Sequence, residues 1–204
     1  MLLPLLQNGN PTSAMAALQS TKLSVDPETV LEFPICEYGI GKVITSPSSK
    51  DLIAGVVIEP VVVWPDDRGV FFEVARAGKG IISGFQPDAL QVSATFTYPG
   101  SIKAFHYHLR QTDCWVPSTG MLQVALVDLR SGSPTFGAKN TLYVGAHRPW
   151  QILIPAGVAH GYKVVGDSIA GLLYVTSRFY DPADEGRIPH DDKRLNYDWA
   201  LQHK

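Results

Sequence analysis

The stretch KAFHYHLRQTD (103–113) concentrates the residues that could do chemistry. Two of the chain's six histidines, His106 and His108, stand one residue apart, and Asp113 follows. A third imidazole, His160, closes the segment PAGVAH (155–160). On an extended strand alternate side chains share a face, so His106 and His108 point together while Phe105 and Tyr107 point away. Three readings fit such a set. His106, His108, Asp113 and His160 can hold one divalent transition metal ion and leave positions open. One imidazole, poised near neutral pH, can act as a general base beside a bystander. Or the pair is polar decoration on the wet face of a sheet.

The elements that must position these residues read as strands. From residue 41 onward short β-rich runs alternate with turn chemistry. They include GKVIT, IAGVVIEPVVVW, VFFEVA, ALQVSATFTY, SIKAFHYH, DCWV, MLQVALVDL, TLYV, QILI, GVAHGYKVV and AGLLYVTS. PDDRG, YPGS, PSTG, RSGSPTFG and PAG punctuate them. About ten strands with almost no helical period predict an all-β fold, an antiparallel barrel or jelly roll. In a small closed barrel the lumen is where polar groups converge on a ligand.

Residues 1–40 read as an irregular arm, with a short helix opening in DPETVLEF (26–33), Asp26 at its N-cap and Pro27 in its first turn. Residues 41–192 form one domain, and 193–204 a short C-terminal tail packed on the outside, with one helical turn near Trp199. DPADEGRIPHDD (181–192) is expected to be a solvated segment, with Arg187 a minor candidate for phosphate. Asp128 and Arg130 are expected to form a buried ion pair that caps a turn, and Phe179 and Tyr180 to serve packing. Cys114 suggests no function.

Composition narrows the function classes. The chain has 204 residues, is 45% hydrophobic and 18% charged, and carries a net charge of −2. It can bury a core, and without a basic stripe it is not expected to bind nucleic acid. Two cysteines are too few for a disulfide framework and suggest a reducing compartment. The apolar start MLLPLL lacks a charged leader and is shorter than a secretory core of roughly 7–15 residues. No run approaches the roughly 20 apolar residues of a membrane span. A cytoplasmic protein that does not enter a membrane is the expectation.

The spacing from Gly100 through His106, His108 and Asp113 to Gly120 resembles the first cupin motif, with Asp for its usual Glu, and PAGVAH resembles the second. A longer likeness runs in order through DDRGVFFE (66–73), LQVSATFTYPGSIKAFHYH (90–108), VALVDLRSGSPTFG (124–137), IPAGVAHGY (154–162) and LLYVTSRFYDPADEGRI (172–188). Over roughly residues 54–192 the chain resembles the dTDP-4-dehydrorhamnose 3,5-epimerase family, itself a jelly-roll cupin.

That resemblance implies a homodimeric enzyme acting on a dTDP-4-keto-6-deoxyhexose, without metal or organic cofactor, by removing a proton alpha to the ketone. It aligns His106 with the catalytic base, Tyr174 with the proton donor and Arg68 with an arginine on the diphosphate, reached from the other subunit. Gln91 and Ser93 fall in the sugar pocket, and His160 on a histidine the family keeps without metal. Lys103 replaces a phosphate-binding arginine, retaining charge but losing the bidentate fork. Strict alternation would turn Lys103 away from His106 unless a bulge intervenes.

Three departures from the family are visible. The lysine that stabilises the enolate is absent, and Asp113 stands at its level. The carboxylate that orients the base belongs to a C-terminal extension not found here, which leaves Asp113 as a replacement. A family glutamine is His108. The other readings are therefore a metal-dependent cupin using His106, His108, Asp113 and His160, and a sugar-nucleotide-binding cupin without turnover.

Overall fold

The computed structural model describes residues 29–202. Within them the chain forms β1 (Lys42–Val43), β2 (Val57–Pro60), β3 (Val63–Asp66), β4 (Gly69–Phe72), β5 (Gln91–Thr97), β6 (Ile102–His108), β7 (Asp113–Thr119), β8 (Met121–Asp128), β9 (Lys139–Gly145), β10 (Trp150–Ile154), β11 (Val158–Val165), β12 (Ala170–Thr176) and β13 (Glu185–Arg187). One sheet has the order β1-β9-β8-β11-β6-β13, the other β2-β10-β7-β12-β5. The β3–β4 hairpin stands apart as a two-stranded ribbon. This is the all-β jelly roll expected from the sequence. The long apolar run at 53–64 is divided after Pro60 between β2 and the ribbon, and Pro fits the end of such a segment because it donates no ladder hydrogen bond.

The two large sheets pack face to face. Leu122, Val124, Leu126, Leu142 and Val164 from one meet Trp115, Ile152, Ile154 and Leu172 from the other. Each sheet also buries its outer face. Ala125, Val127 and Ala159 lie under Leu195, Tyr197 and Trp199, whereas Cys114, Val116 and Val175 lie under Ile82 and Phe85. With both faces covered, β8 reads as a nearly unbroken apolar run instead of an alternating one.

The start of the described residues corrects one expectation. Residues 29–33 are extended, not helical: Leu31 bridges Arg130, and Glu32 N–H donates to the Leu129 carbonyl at 2.8 Å. The capping residues Asp26 and Pro27 lie outside the described residues. The C-terminal segment lies against the outer face of the six-stranded sheet. Tyr197 and Trp199 are buried, Trp199 packs 5.5 Å from Phe105 between ring centroids, and its indole donates to the His190 carbonyl. A single helical turn precedes them, closed by Asn196 N–H donating to the Asp192 carbonyl at 2.8 Å. The buried Lys139 ammonium ties both ends to the barrel, donating to the carbonyls of Glu37, Gly39, Leu195 and Asn196.

Between β6 and β11 the register slips: His106 opposes His160, but Lys103 opposes Tyr162. Three steps on β6 match two on β11, so β6 carries one extra residue. The consecutive residues Ala104 and Phe105 both join the outer layer, which brings Lys103 onto the inner face with His106 and His108. The close approach needs Gly161, since a Cβ there would run into Ala104.

Candidate active site

A cavity of about 410 Å³ opens between the sheets. From the six-stranded sheet it is lined by Lys103, His106, His108, His160 and Glu185; Gln91, Asp113, Trp115 and Tyr174 line it from the other. Inward alternation accounts for most of this. His160 lies between Val158 and Tyr162 on the inner face of β11, and Tyr174 between Leu172 and Thr176 on that of β12.

His106 Nδ1 donates to Glu185 Oε1 at 2.9 Å. A carboxylate only accepts, so Nδ1 holds the ring proton and Nε2 the lone pair. Glu185 also accepts from Arg187 Nε at 2.7 Å. Burial pushes its carboxyl up, but hydrogen bonds from Arg187 and His106 outweigh this and hold it below the usual range. Glu185 is therefore an anion near neutral pH. It reaches His106 because β13 pairs with β6, with Glu185 opposite His108 and Arg187 opposite His106. Asp184 pins this strand to the β6–β7 hairpin: its carbonyl accepts from Leu109 N–H, and its carboxylate from Gln111 N–H and Arg110. Gly186 permits the pairing, since a Cβ would collide with the Tyr107 ring.

Asp113 makes other contacts. Its carboxylate accepts from Gln111 Nε2 at 2.7 Å and Trp115 Nε1 at 3.3 Å. His108 Nε2 lies 3.8 Å from Oδ1, and His160 Nε2 lies 3.6 Å from Oδ2. The expectation that Asp113 orients His106 is thus corrected: Glu185 is the carboxylate on His106. Burial pushes the His160 imidazole down to about 4 against the pull of the Asp113 charge. His160 Nδ1 donates to the Val158 carbonyl at 2.9 Å.

The donor atoms of His108, Asp113 and His160 all lie within 4.8 Å of one another. Two imidazoles and a carboxylate suit a transition metal ion, and the carboxylate separations of 3.6 and 3.8 Å can be spanned through one ion with bonds of about 2.0–2.2 Å. The residues therefore fit such an ion. His106 does not join them: its Nδ1 is held by Glu185, and its ring centroid is 6.5 Å from that of His160. The four-residue metal set becomes three.

Lys103 donates to Thr95 Oγ1 at 2.8 Å and lines the cavity. Gln91 also lines it; Ser93 shares the inward face of β5 and accepts from Gln91 Nε2, but does not reach the cavity wall. Arg68 is remote. It sits exposed on the β3–β4 turn, paired with Asp66, and does not line the cavity. Asp128 and Arg130 form the expected buried pair.

The model of the dTDP-4-dehydrorhamnose 3,5-epimerase family matches residues 50–204. The chain belongs to that family. It is 42% identical over 153 residues to the spore coat polysaccharide biosynthesis protein SpsL of Bacillus subtilis, covering 74% of this chain and 99% of that one. It is 36% identical over 151 residues to the dTDP-4-dehydrorhamnose 3,5-epimerase of Pseudomonas aeruginosa, covering 72% and 82%. A solved dTDP-6-deoxy-D-glucose-3,5-epimerase of Legionella pneumophila, in complex with dTDP-4-keto-L-rhamnose, superposes with a TM-score of 0.63 at 27% identity, over 73% and 80%. The chain is a carbohydrate epimerase of this cupin family. No helix among the described residues is long and apolar enough to cross a membrane.

As a member of the family it shows site residues that sequence reasoning passed over. Glu185 lies in what reads as a solvated segment, because three residues of β13 carry no alternation to detect; Arg187, the minor phosphate candidate of that segment, lines the cavity beside it. Gln111 lay in a loop, yet it is buried against His108 and Asp113. Tyr180, expected to pack, is 58% exposed at the cavity, and Phe179 is exposed too.

Proposed function

We propose that the protein inverts one or both carbons flanking the ketone of a dTDP-4-keto-6-deoxyhexose, with His106 as base and Tyr174 as acid. One observation carries this reading: His106 and Tyr174 line one cavity from opposite sheets. A planar enolate between them would lose a proton to one wall and regain one from the other, which is the requirement for inversion.

His106 Nε2, its lone pair exposed by the Glu185 contact, takes the hydrogen alpha to the ketone, and the C–H electrons pass into the enolate. The tyrosine hydroxyl then delivers a proton to the opposite face of that carbon. Imidazolium and phenolate exchange their protons with solvent to complete the cycle. Glu185 fixes the imidazole tautomer and stabilises the imidazolium. In this reading Lys103 and Arg187, cations lining the cavity, meet the diphosphate, and Gln91 the sugar.

Arg68 serves in this reading from a second subunit. The β3–β4 ribbon that carries it exposes Trp64, Val70 and Phe71, and β5, an edge strand, exposes Val92 and Phe96 on its outer face. Uncovered apolar edges of this kind suit pairing across a two-fold axis. The unpaired Cys36 and Cys114 fit a reducing cytoplasm.

The test is solvent exchange. Incubated in deuterated water with a dTDP-4-keto-6-deoxy sugar, the protein should incorporate deuterium at C3 or C5, and His106→Ala should abolish this. Binding of the sugar nucleotide without exchange would leave a binding module instead.

A further inference from the structure

We propose that His108, Asp113 and His160 bind one divalent transition metal ion at the buried end of the cavity. His160 Nδ1 is 2.9 Å from the Val158 carbonyl oxygen, which can only accept. The ring proton is therefore on Nδ1, and Nε2 carries a bare lone pair. That lone pair points toward Asp113 Oδ2 at 3.6 Å, and no hydrogen bond reaches Nε2 among the described residues. His108 Nε2 faces the Gln111 amide nitrogen at 3.2 Å, so it too is an acceptor, 3.8 Å from Asp113 Oδ1.

Two lone pairs and a carboxylate thus converge on one volume, with side chains only 9%, 4% and 5% exposed for His108, His160 and Asp113. Acceptors facing one another repel; a cation among them reverses the sign. The surroundings are those of metal ligands. The far nitrogen of His160 is fixed by a backbone carbonyl, the far nitrogen of His108 lies 4.0 Å from Asp184 Oδ2, and Trp115 supports the Asp113 carboxylate. Imidazole donors select an ion such as zinc or cobalt over magnesium or calcium.

Gln111 acts as the stand-in. Its amide nitrogen contacts both His108 Nε2 and Asp113 Oδ1, so N–H dipoles partly neutralise two of the three acceptors. An ion would displace that edge, and the amide turned over would offer Oε1 as a fourth ligand. Positions left open face the cavity. A ketone oxygen there would find the positive charge that the absent family lysine would have given the enolate. That role rests on the epimerase reading; the binding does not.

The protein should be stripped with a chelator and titrated with cobalt(II), followed by its visible absorption, and with zinc(II) by calorimetry. One equivalent should bind and raise Tm. Asp113→Asn and His160→Gln should each weaken binding by at least about 10–100-fold, the cost of losing even a supporting partner. His147→Ala, on an exposed turn, should bind like the wild type. Circular dichroism checks that the variants are folded, and Asp113→Asn, nearly isosteric, keeps the test open if His160→Gln is not. Absence of binding, or binding unchanged in both variants, would overturn the proposal. So would a nitrogen NMR spectrum showing a charged His160 ring unaltered by added metal, because a proton would then be the missing cation. Deuterium exchange at the sugar is read separately, so failure of one assay does not imply failure of the other.

Discussion

His106 and Glu185 share a 2.9 Å hydrogen bond between adjacent strands, although 79 residues separate them in the chain. Glu185→Gln can keep the contact while reversing its polarity: an amide donor would favour the tautomer with its lone pair on Nδ1. Proton exchange at the sugar should fall by about 10²–10⁴ with little change in substrate binding. Glu185→Asp should recover part of the rate. Equal exchange in the wild type and Glu185→Gln would show that His106 does not depend on this partner.

Tyr174 is expected to separate two observables that His106 controls together. Tyr174→Phe removes the hydroxyl but keeps the ring packed against the core between the sheets. Exchange of the alpha hydrogen should persist, while formation of the inverted sugar falls about 10²–10⁴-fold, the range for a lost general acid. NMR of the same sample reads both. A parallel loss of the two would assign Tyr174 to binding or to the first proton transfer.

The exposed ribbon predicts assembly. Light scattering at micromolar concentration should give a dimer, and Trp64→Glu with Phe71→Glu should shift it toward monomer. If Arg68 reaches the partner's cavity, the monomer should also have a raised KM. A monomeric wild type would leave Arg68 without its proposed target.

Asp128 predicts a pH dependence of stability unrelated to the site. Burial pushes its carboxyl up, and hydrogen bonds from Arg130, Ser133 and Thr135 outweigh that and hold it below the usual range. A depressed folded value means stability that is complete above the unfolded value, roughly 4, and lost as pH falls through the folded one. Asp128→Asn should cost about 3 kcal/mol at neutral pH. The Tm gap to wild type should close in acid; a constant gap from pH 7 to pH 3 would contradict this.

The sequence by itself determined the barrel and half of the site. Turn residues at short intervals between β-rich runs specify antiparallel strands, and period-two alternation then sends His106, His108, His160 and Tyr174 inward, because a strand offers only two directions. Tertiary structure decided what alternation cannot express. One extra residue in β6 sends Lys103 inward as well, and a bulge leaves no composition signal. A three-residue strand supplies Glu185 only because Asp184 pins it beside β6. The aromatic residues at 197 and 199 are buried because, with Leu31, Ile40 and Ile188, they cover the outer face of the six-stranded sheet. In each case the deciding contact joins residues far apart in the chain, so its energy depends on a neighbour that local sequence does not contain.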